Sequence, residues 1–180
     1  ACARLSLGDG ARAALLASEA GAALRASAEA LARAPALDKP WLAVIESGAD
    51  QASAVRADLE RARDEEREYL PARDRRRRTT EYDERIRRFE RRVRTATIDH
   101  ALQLAGLWLR DLTCVAAGAP ELAHNADRGA ELAADAEGRS PAALREAVDL
   151  VEDTRARLAL NVSEELALEA LAYRLERRRA

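Results

Sequence analysis

The sequence contains few of the residues on which catalysis and metal binding usually depend. Its 180 residues include two histidines, His100 and His124, and two cysteines, Cys2 and Cys114, and they do not follow the spacing of metal ligands. The single lysine, Lys39, lies outside any Gly-rich phosphate-binding loop. We therefore expect no metal site, no Ser-His-Asp triad, no bound cofactor and no catalytic residue.

Aromatic and strand-forming residues are also scarce. Aromatics make up 3% of the chain, too few for a platform that stacks bases or sugars. Val, Ile and Thr together number 16, against 43 Ala and 25 Leu, which lose little side-chain entropy in a helix. This composition predicts an all-α fold. The absence of Met, even at position 1, favours a fragment of a longer protein over a processed one.

Long apolar runs and a signal peptide are missing as well. The most apolar stretch, 102–112, is interrupted by Gln103 and Arg110 and is too short to cross a bilayer. The two cysteines, in Ala/Leu-rich surroundings, are more typical of buried thiols in a cytosolic protein than of a disulfide. We expect a cytoplasmic protein that contacts neither a membrane nor a small-molecule substrate.

Charge is abundant, although it nearly cancels. Charged residues make up 34% of the chain, the net charge is −2, and all but one of the 30 basic residues are Arg. Such an Ala/Arg bias is typical of a GC-rich genome, for example that of an actinobacterium, so a single arginine here indicates little about function.

Helical periodicity organises the chain into segments that end at Pro and Gly. Gly48 is predicted to end a short helix, and Asp50, Asn125, Ser140 and Ser163 are predicted N-caps. The predicted helices cover 11–17, 19–34, 41–46, 50–69, 82–115, 126–137, 141–160 and the segment from 164 to the C-terminal arginines 177–179.

Two segments carry narrow apolar stripes and opposite charge bias. Residues 56–68 hold six acids and four Arg, a net charge of −2, whereas residues 72–94 hold eleven Arg and five acids, a net charge of +6. The pattern predicts a charged antiparallel helical hairpin. The stripes consist of Ala52, Val55, Leu59 and Ala62, and of Tyr82, Ile86, Phe89, Val93 and Ala96.

Beyond residue 98 the pattern becomes that of a helical core. The segment 98–115 has a wide apolar face, and Leu168, Leu171, Ala172 and Leu175 form a second stripe. Arg110 and Asp111 interrupt the wide face, and either pairing with adjacent helices or exposure to solvent would account for them. The predicted domains are the end of a small helical lid at 1–18, linker helices at 19–49, the hairpin at 50–97 and a helical bundle at 98–178.

Three ordered segments resemble one protein family. The run Leu-Trp-Leu-Arg-Asp-Leu at 107–112 resembles the W-x-R-D-L helix of the bacterial DNA polymerase III delta-prime subunit, a clamp-loader component. Residues 158–171, in which Asn161-Val162 precedes a final helix, are similar to that family's closing pattern, and 5–15 resembles the last helix of its AAA+ lid. The resemblance covers 98–178 well and 1–47 loosely, and it does not cover the hairpin closely.

The resemblance implies a place in a hetero-pentameric clamp loader. In that family the C-terminal helical domains of the subunits form a collar that holds the assembly, while the AAA+ modules contact DNA. Ala11 stands three residues after Gly8, where ATP-binding relatives place an Arg, and Arg12 is one place late. The parent would belong to the DNA polymerase III holoenzyme, a nucleotidyltransferase, although this fragment itself would be non-catalytic and would support loading of the sliding clamp.

Two sets of residues are candidates for contacts with partners. The subunit-interface candidates, for which an internal core position is the alternative, are Trp108, Arg110, Asp111, Leu112, Leu168, Leu171 and Leu175. The candidates for a weak nucleic-acid contact, for which a solvated or self-paired helix face is the alternative, are Arg75, Arg76, Arg77, Arg78, Arg88 and Arg92.

Two functions other than the collar stay open. The first is a basic helical hairpin that binds nucleic acid non-specifically, and the second is a generic helical interaction or regulator domain. An enzyme with paired carboxylates at 64–66 or 164–165 is not expected, because neighbouring residues on a helix diverge by about 100°.

Overall fold

The computed structural model describes residues 1–160 and 162–178, and within that part of the chain all regular structure is helical. The predicted all-α fold is confirmed. The α-helices are α1 (Cys2–Leu5), α2 (Gly10–Leu16), α3 (Glu19–Arg33), α4 (Trp41–Tyr69), α5 (Ala72–Ala116), α6 (Gly129–Ala136), α7 (Pro141–Leu158) and α8 (Glu164–Glu176). Short 3₁₀ helices cover Ala36–Asp38, Pro120–Leu122 and Ala126–Arg128.

The chain packs as two compact units. The first combines Ala1–Ile45 with the chain from Asp99 onward, and the second is Glu46–Ile98. Because α4 and α5 cross these limits, each contributes residues to both units. Asn161 of the closing pattern and Arg179 of the C-terminal arginines lie outside the described residues.

The first unit has a continuous leucine-rich core. The wide apolar face predicted for the C-terminal part of α5 and the stripe predicted on α8 both lie in it, as their spacing required. Burying each such side chain contributes about 1.5–3 kcal/mol. The largest buried side chains of this unit are Leu5, Leu31, Leu102, Trp108, Leu109, Leu112, Leu132, Leu144, Leu168, Leu171 and Leu175.

Serine side chains begin three helices of this unit. Ser140 accepts a hydrogen bond from Ala142 N at 3.2 Å, and Ser163 accepts one from Leu166 N at 3.5 Å. Both predicted N-caps are therefore confirmed, and both satisfy amide groups that the helix itself leaves without partners. Ser18 caps α3 in the same way, through Gly21 N at 3.2 Å.

The second unit is an antiparallel helical hairpin, as predicted. Its helices, the parts of α4 and α5 between 46 and 98, are joined at Leu70-Pro71. Three ion pairs cross the hairpin: Arg56–Glu90 at 3.3 Å, Arg63–Asp83 at 3.1 Å and Arg78–Glu66 at 2.7 Å. The residue numbers of each pair rise on one helix as they fall on the other, which fixes the antiparallel register.

The apolar contact within the hairpin is thin. Ala52 and Ile86 are buried, whereas Ala62 is exposed and Phe89 is 38% exposed. Isolated helices of this kind are marginal in water, and surface ion pairs contribute little each. The packing of unit 2 on itself is therefore weak compared with that of the first unit.

Gly48 and Asp50 were wrongly predicted to separate two helices. Both lie inside α4, which runs unbroken through them. A glycine inside a helix costs only about 1 kcal/mol relative to Ala, and here its missing side chain has a use. A Cβ at Gly48 would lie 3.2 Å from Ile98 Cγ1, so the glycine allows α4 and α5 to approach closely.

Asn125 was wrongly predicted to cap a helix over 126–137. Its side chain makes no capping hydrogen bond and instead donates to Asp111. The segment consequently begins as the 3₁₀ helix Ala126–Arg128 before α6 starts at Gly129.

Other differences concern helix limits and the cysteines. The second hairpin helix begins at Ala72 rather than near Tyr82, and α1 (Cys2–Leu5) lies before the first predicted helix. The cysteines form no disulfide, as expected, but Cys2 and Cys114 are half-buried rather than fully buried.

A close approach between α2 and α3 generates a prediction. A Cβ at Gly21 would fall 2.5 Å from the carbonyl carbon of Leu15 and 2.6 Å from Leu16 Cα, which are backbone atoms that cannot turn away. We expect Gly21→Ala to lower the free energy of unfolding by about 2 kcal/mol, despite the better helix propensity of Ala. Chemical denaturation monitored by circular dichroism measures the change.

Gly129→Ala is the matched control, because a Cβ there would meet no atom within 4 Å. It should leave stability unchanged or raise it by up to about 1 kcal/mol. Equal stability of the Gly21→Ala variant and the wild type would contradict the close approach.

Candidate functional site

The Leu-Trp-Leu-Arg-Asp-Leu run on α5 holds the following segment of the chain in place. The indole N–H of Trp108 donates to Asp135 Oδ2 on α6 at 3.2 Å. Arg33 from α3 forms an ion pair with the same carboxylate at 2.7 Å, and its guanidinium lies 5.1 Å from the centre of the Trp108 ring. These contacts join three helices around one indole.

Asp111 is fully buried and accepts several hydrogen bonds from one short segment. Its Oδ1 accepts from His124 N at 2.9 Å, and its Oδ2 accepts from Asn125 N and from Asn125 Nδ2, each at 2.8 Å. The carboxylate thus satisfies two backbone amides that no helix pairs. Asp111 is therefore not exposed to solvent, and its partners are a loop and the neighbouring Arg110 rather than charges on adjacent helices.

The same network extends to the surface on two sides. Arg110, whose side chain is 43% exposed, contacts Asp111 Oδ1, the Leu122 carbonyl and His124 Nδ1, the last at 2.7 Å. Arg25 from α3 donates to Asn125 Oδ1 at 2.9 Å. Asp111 has no access to solvent, and its contacts hold a loop on a helix.

This placement bears on the subunit-interface candidates. Trp108, Asp111, Leu112, Leu168, Leu171 and Leu175 are all buried in the chain's own core, and Arg110 is the one member of the set with substantial exposure. A subunit interface through these residues stays a prediction, and their burial within one chain does not support it.

A different set of residues on α8 faces solvent. Leu166 is 66% exposed and Tyr173 is 45% exposed, and Ala170 between them is exposed as well. At spacings of four and three residues they share one side of α8, opposite its buried stripe. We name Leu166, Ala170 and Tyr173 the α8 outer stripe.

Apolar residues next to α8 add to this surface. Val162, just before the helix, is 43% exposed, and Leu37 in the 3₁₀ helix that packs against α8 is 81% exposed. The outer stripe was not predicted from the sequence, because α8 was assigned a single apolar face. The sequence did contain a signal. An amphipathic helix with one buried face has polar residues on the opposite face, whereas α8 has Leu166, Ala170 and Tyr173 there.

The arginine run divides into engaged and unengaged side chains. Arg78 binds Glu66 and Glu81, Arg77 lies 3.6 Å from Glu81, and Arg75 donates to the Leu70 carbonyl at 2.9 Å. Arg78 thus links the two helices and Arg75 lies at their turn, whereas the Arg77–Glu81 pair lies within α5. The side chains of Arg76, Arg88 and Arg92 are exposed and have no partner among the described residues.

Two of the carboxylates considered for catalysis, Asp64 and Glu66, have structural partners. Hydrogen bonds from Tyr82 and Arg78 lower the pKa of Glu66, and the adjacent Arg63 lowers the pKa of Asp64. Lowered values favour the ionised form, which is the reverse of what a general acid at neutral pH requires. Within residues 1–160 and 162–178, no three metal-ligating side chains are grouped closely enough to hold an ion.

Comparison with models of known protein families, with curated proteins and with solved structures finds no match for this chain. In the described part of the chain, none of the helices combines the length and the apolar character that crossing a membrane requires.

His100 is another buried polar group of the first unit. It is 6% exposed, and its Nε2 has no hydrogen-bond partner among the described residues. Burial lowers the pKa of its imidazole, and the nearby Arg12 lowers it further, while Asp99 and Asp9 oppose the shift. His100 is thus held neutral in the folded chain near neutral pH.

The Asp111 network predicts a large effect of one small substitution. Asp111→Asn replaces an acceptor oxygen with an amide donor in a place where buried donors already converge. We expect it to lower the free energy of unfolding by about 3 kcal/mol, as measured by denaturant titration. Asp149→Asn, at an exposed position of α7, is the control and should change little. Wild-type stability of the Asp111→Asn variant would refute the network.

His100 predicts a pH dependence of stability with a definite sign. Because its folded pKa is below the unfolded value of about 6.5, the unfolded chain binds more protons between the two. Stability should therefore fall as the pH drops from about 7.5 to about 5.5. Melting temperatures across this window should show a smaller fall for His100→Gln, which cannot be protonated, and an identical fall would contradict the assignment.

Proposed function

We propose that this chain is a non-catalytic helical assembly domain and that it forms part of the collar of a bacterial clamp loader. The observation that carries the proposal is the α8 outer stripe. Its residues lie opposite the stripe of α8 that fills the core, and the fold of the first unit leaves Leu166 in particular largely exposed. A helix with apolar residues on two opposite sides suits a position between its own core and a neighbour.

The chemistry of the stripe suits a protein partner. Tyr173 combines a large apolar ring with a hydroxyl, a type of residue enriched at the centres of protein interfaces. Its ring centre lies 6.1 Å from that of the buried Trp41, which limits its freedom before any partner binds. A side chain already held in place loses less conformational entropy on binding.

The clamp-loader role is supported by the resemblance and by what its motif does. In this fold the Leu-Trp-Leu-Arg-Asp-Leu run fastens the segment 120–135 onto α5 through Trp108, Arg110 and Asp111. A motif with such a structural role belongs to a scaffold rather than to a catalytic centre. On this proposal the partners are the other subunits of the hetero-pentamer, in the bacterial cytoplasm.

A generic helical interaction domain is the alternative, and partner selectivity distinguishes the two. A collar domain should assemble with the C-terminal domains of the other clamp-loader subunits. A generic domain would bind none of them or would associate only with itself.

The test is size-exclusion chromatography with light scattering, at micromolar concentration, of the chain mixed with those domains from an actinobacterium. We expect a hetero-oligomer larger than any component. The double variant Leu166→Glu/Tyr173→Glu should lower the affinity of this assembly at least tenfold, because charges would be buried at the interface.

Leu122→Glu is the control. Leu122 is 57% exposed, but it lies on the 3₁₀ helix Pro120–Leu122 rather than on α8. It should assemble like the wild type. Independent elution of every component would overturn the collar role, and undiminished assembly of the double variant would overturn the outer stripe as the contact.

A further inference from the structure

Four arginines form an exposed cluster on the hairpin helix of α5. Arg87, Arg88, Arg91 and Arg92, here named the arginine quartet, are all exposed. No ion pair or side-chain hydrogen bond joins any of them to another described residue. As two adjacent pairs four positions apart, they lie within an arc of about 140° and are offset by about 6 Å along the helix.

The quartet differs from most other arginines of the hairpin because none of its four side chains has a partner among the described residues. Arg56, Arg63 and Arg78 bridge the two helices through carboxylates. Arg85 lies over the rings of Tyr82 and Phe89, at 6.0 and 5.6 Å. Unpaired like charges on neighbouring positions destabilise a helix, so the quartet lowers stability unless a partner neutralises it.

Acidic residues near the quartet leave its charge largely uncompensated. Glu90, within the same two turns, is engaged by Arg56 from the other helix. Glu84 is exposed one turn earlier and forms no ion pair among the described residues. Near the quartet, Glu84 is thus the unpaired carboxylate among the described residues, against four unpaired guanidinium groups.

We propose that the arginine quartet binds the phosphate backbone of double-helical nucleic acid. Guanidinium groups match phosphate oxygens through paired hydrogen bonds. The two arginine pairs follow one another along the helix, about 6 Å apart, and this suits an array of phosphates better than an isolated anion. The contact is independent of base sequence, because backbone contacts carry no sequence information.

The surroundings of the quartet argue against other polyanions. A helix that lies on a membrane needs exposed apolar residues beside its basic ones, and the aromatic ring next to the quartet, that of Phe89, is partly covered by Arg85. Single strands are bound mainly by stacking on aromatic side chains, which this face does not offer. The inference does not depend on the collar, since the quartet lies in unit 2 and the α8 outer stripe lies in the first unit.

The structure also selects among the arginines of the run. Arg75, Arg77 and Arg78 have partners within the hairpin, whereas Arg88 and Arg92 belong to the quartet. Substituting the engaged arginines would loosen the hairpin, and a loss of binding would then have no single cause. Substituting the quartet removes charge without removing a contact of the fold.

The experiment measures binding of the full chain to a fluorescent duplex of two helical turns (about 20 base pairs). Fluorescence anisotropy is recorded between about 50 and 200 mM salt. With four phosphates neutralised, the logarithm of the affinity should fall against the logarithm of the salt concentration with a slope of about −3.6. Absence of binding at the lowest salt concentration would overturn the proposal.

Three variants locate the contact. Arg87→Gln/Arg88→Gln/Arg91→Gln/Arg92→Gln should weaken binding at least tenfold and flatten the slope, while circular dichroism shows unchanged helicity because Gln is a good helix former. The four Arg→Lys changes at the same positions should retain most of the affinity, which excludes misfolding as the cause. The charge-matched control Arg61→Gln/Arg67→Gln/Arg145→Gln/Arg177→Gln removes four exposed arginines elsewhere and should weaken binding less than threefold.

Competitors identify the kind of polyanion. A single strand of equal length, vesicles of phosphatidylglycerol and phosphatidylcholine, and polyglutamate should each compete less well than unlabelled duplex. If any one of these competitors displaced the labelled duplex better than unlabelled duplex does, that competitor's class and not double-helical nucleic acid would be the partner. A charge-matched control that binds as weakly as the quartet variant would show a general charge effect and would overturn the site.

Discussion

A buried carboxylate requires donors, and in this chain one short segment supplies them. Asp111 lies in the apolar C-terminal part of α5, where an unpaired charge would be strongly destabilising. The backbone amides of His124 and Asn125 meet this requirement. In turn, the carboxylate fixes the segment between α5 and α6, and thereby the position from which α6 reaches Trp108. The packing of the first unit around α5 depends on these hydrogen bonds between Asp111 and the segment that follows α5.

The hairpin depends on ion pairs more than on buried side chains. Its helices share few buried side chains, and their register is set by ion pairs at matching positions of α4 and α5. Exposed ion pairs contribute at most about 1 kcal/mol each, so they specify the alignment more than they stabilise it. The charge of the arginine quartet is not used for this alignment, and on our proposal it binds a ligand of opposite sign.

Much of the fold was predictable because it depends on local signals. Ser140 and Ser163 are capping residues followed by apolar periodicity, and the composition leaves little besides helix. Gly48 and Asn125 carry equally good local signals and were predicted wrongly, because tertiary contacts decide both. Gly48 lies where another helix approaches, and Asn125 is drawn to Asp111. Neither partner can be inferred from nearby sequence.

The candidate sites were harder to predict for a related reason. A pattern of apolar residues does not distinguish a core from an interface, so Leu168 and Leu171 were candidates for either place until their burial was known. A run of arginines likewise does not show which side chains are paired. The fold resolves both cases by the same criterion, because a side chain that the fold already uses is unavailable to a partner.

The two proposed surfaces rely on forces that respond differently to salt. Contacts of the arginine quartet with phosphates weaken steeply as ions screen them. Apolar contacts of the α8 outer stripe are little affected by simple salts and are strengthened by sulfate or phosphate. Because each surface lies in its own unit, salt separates the two activities in one preparation. At high salt the chain should keep its protein partners while it releases nucleic acid, and this combination is what a scaffold with a weak backbone contact would show.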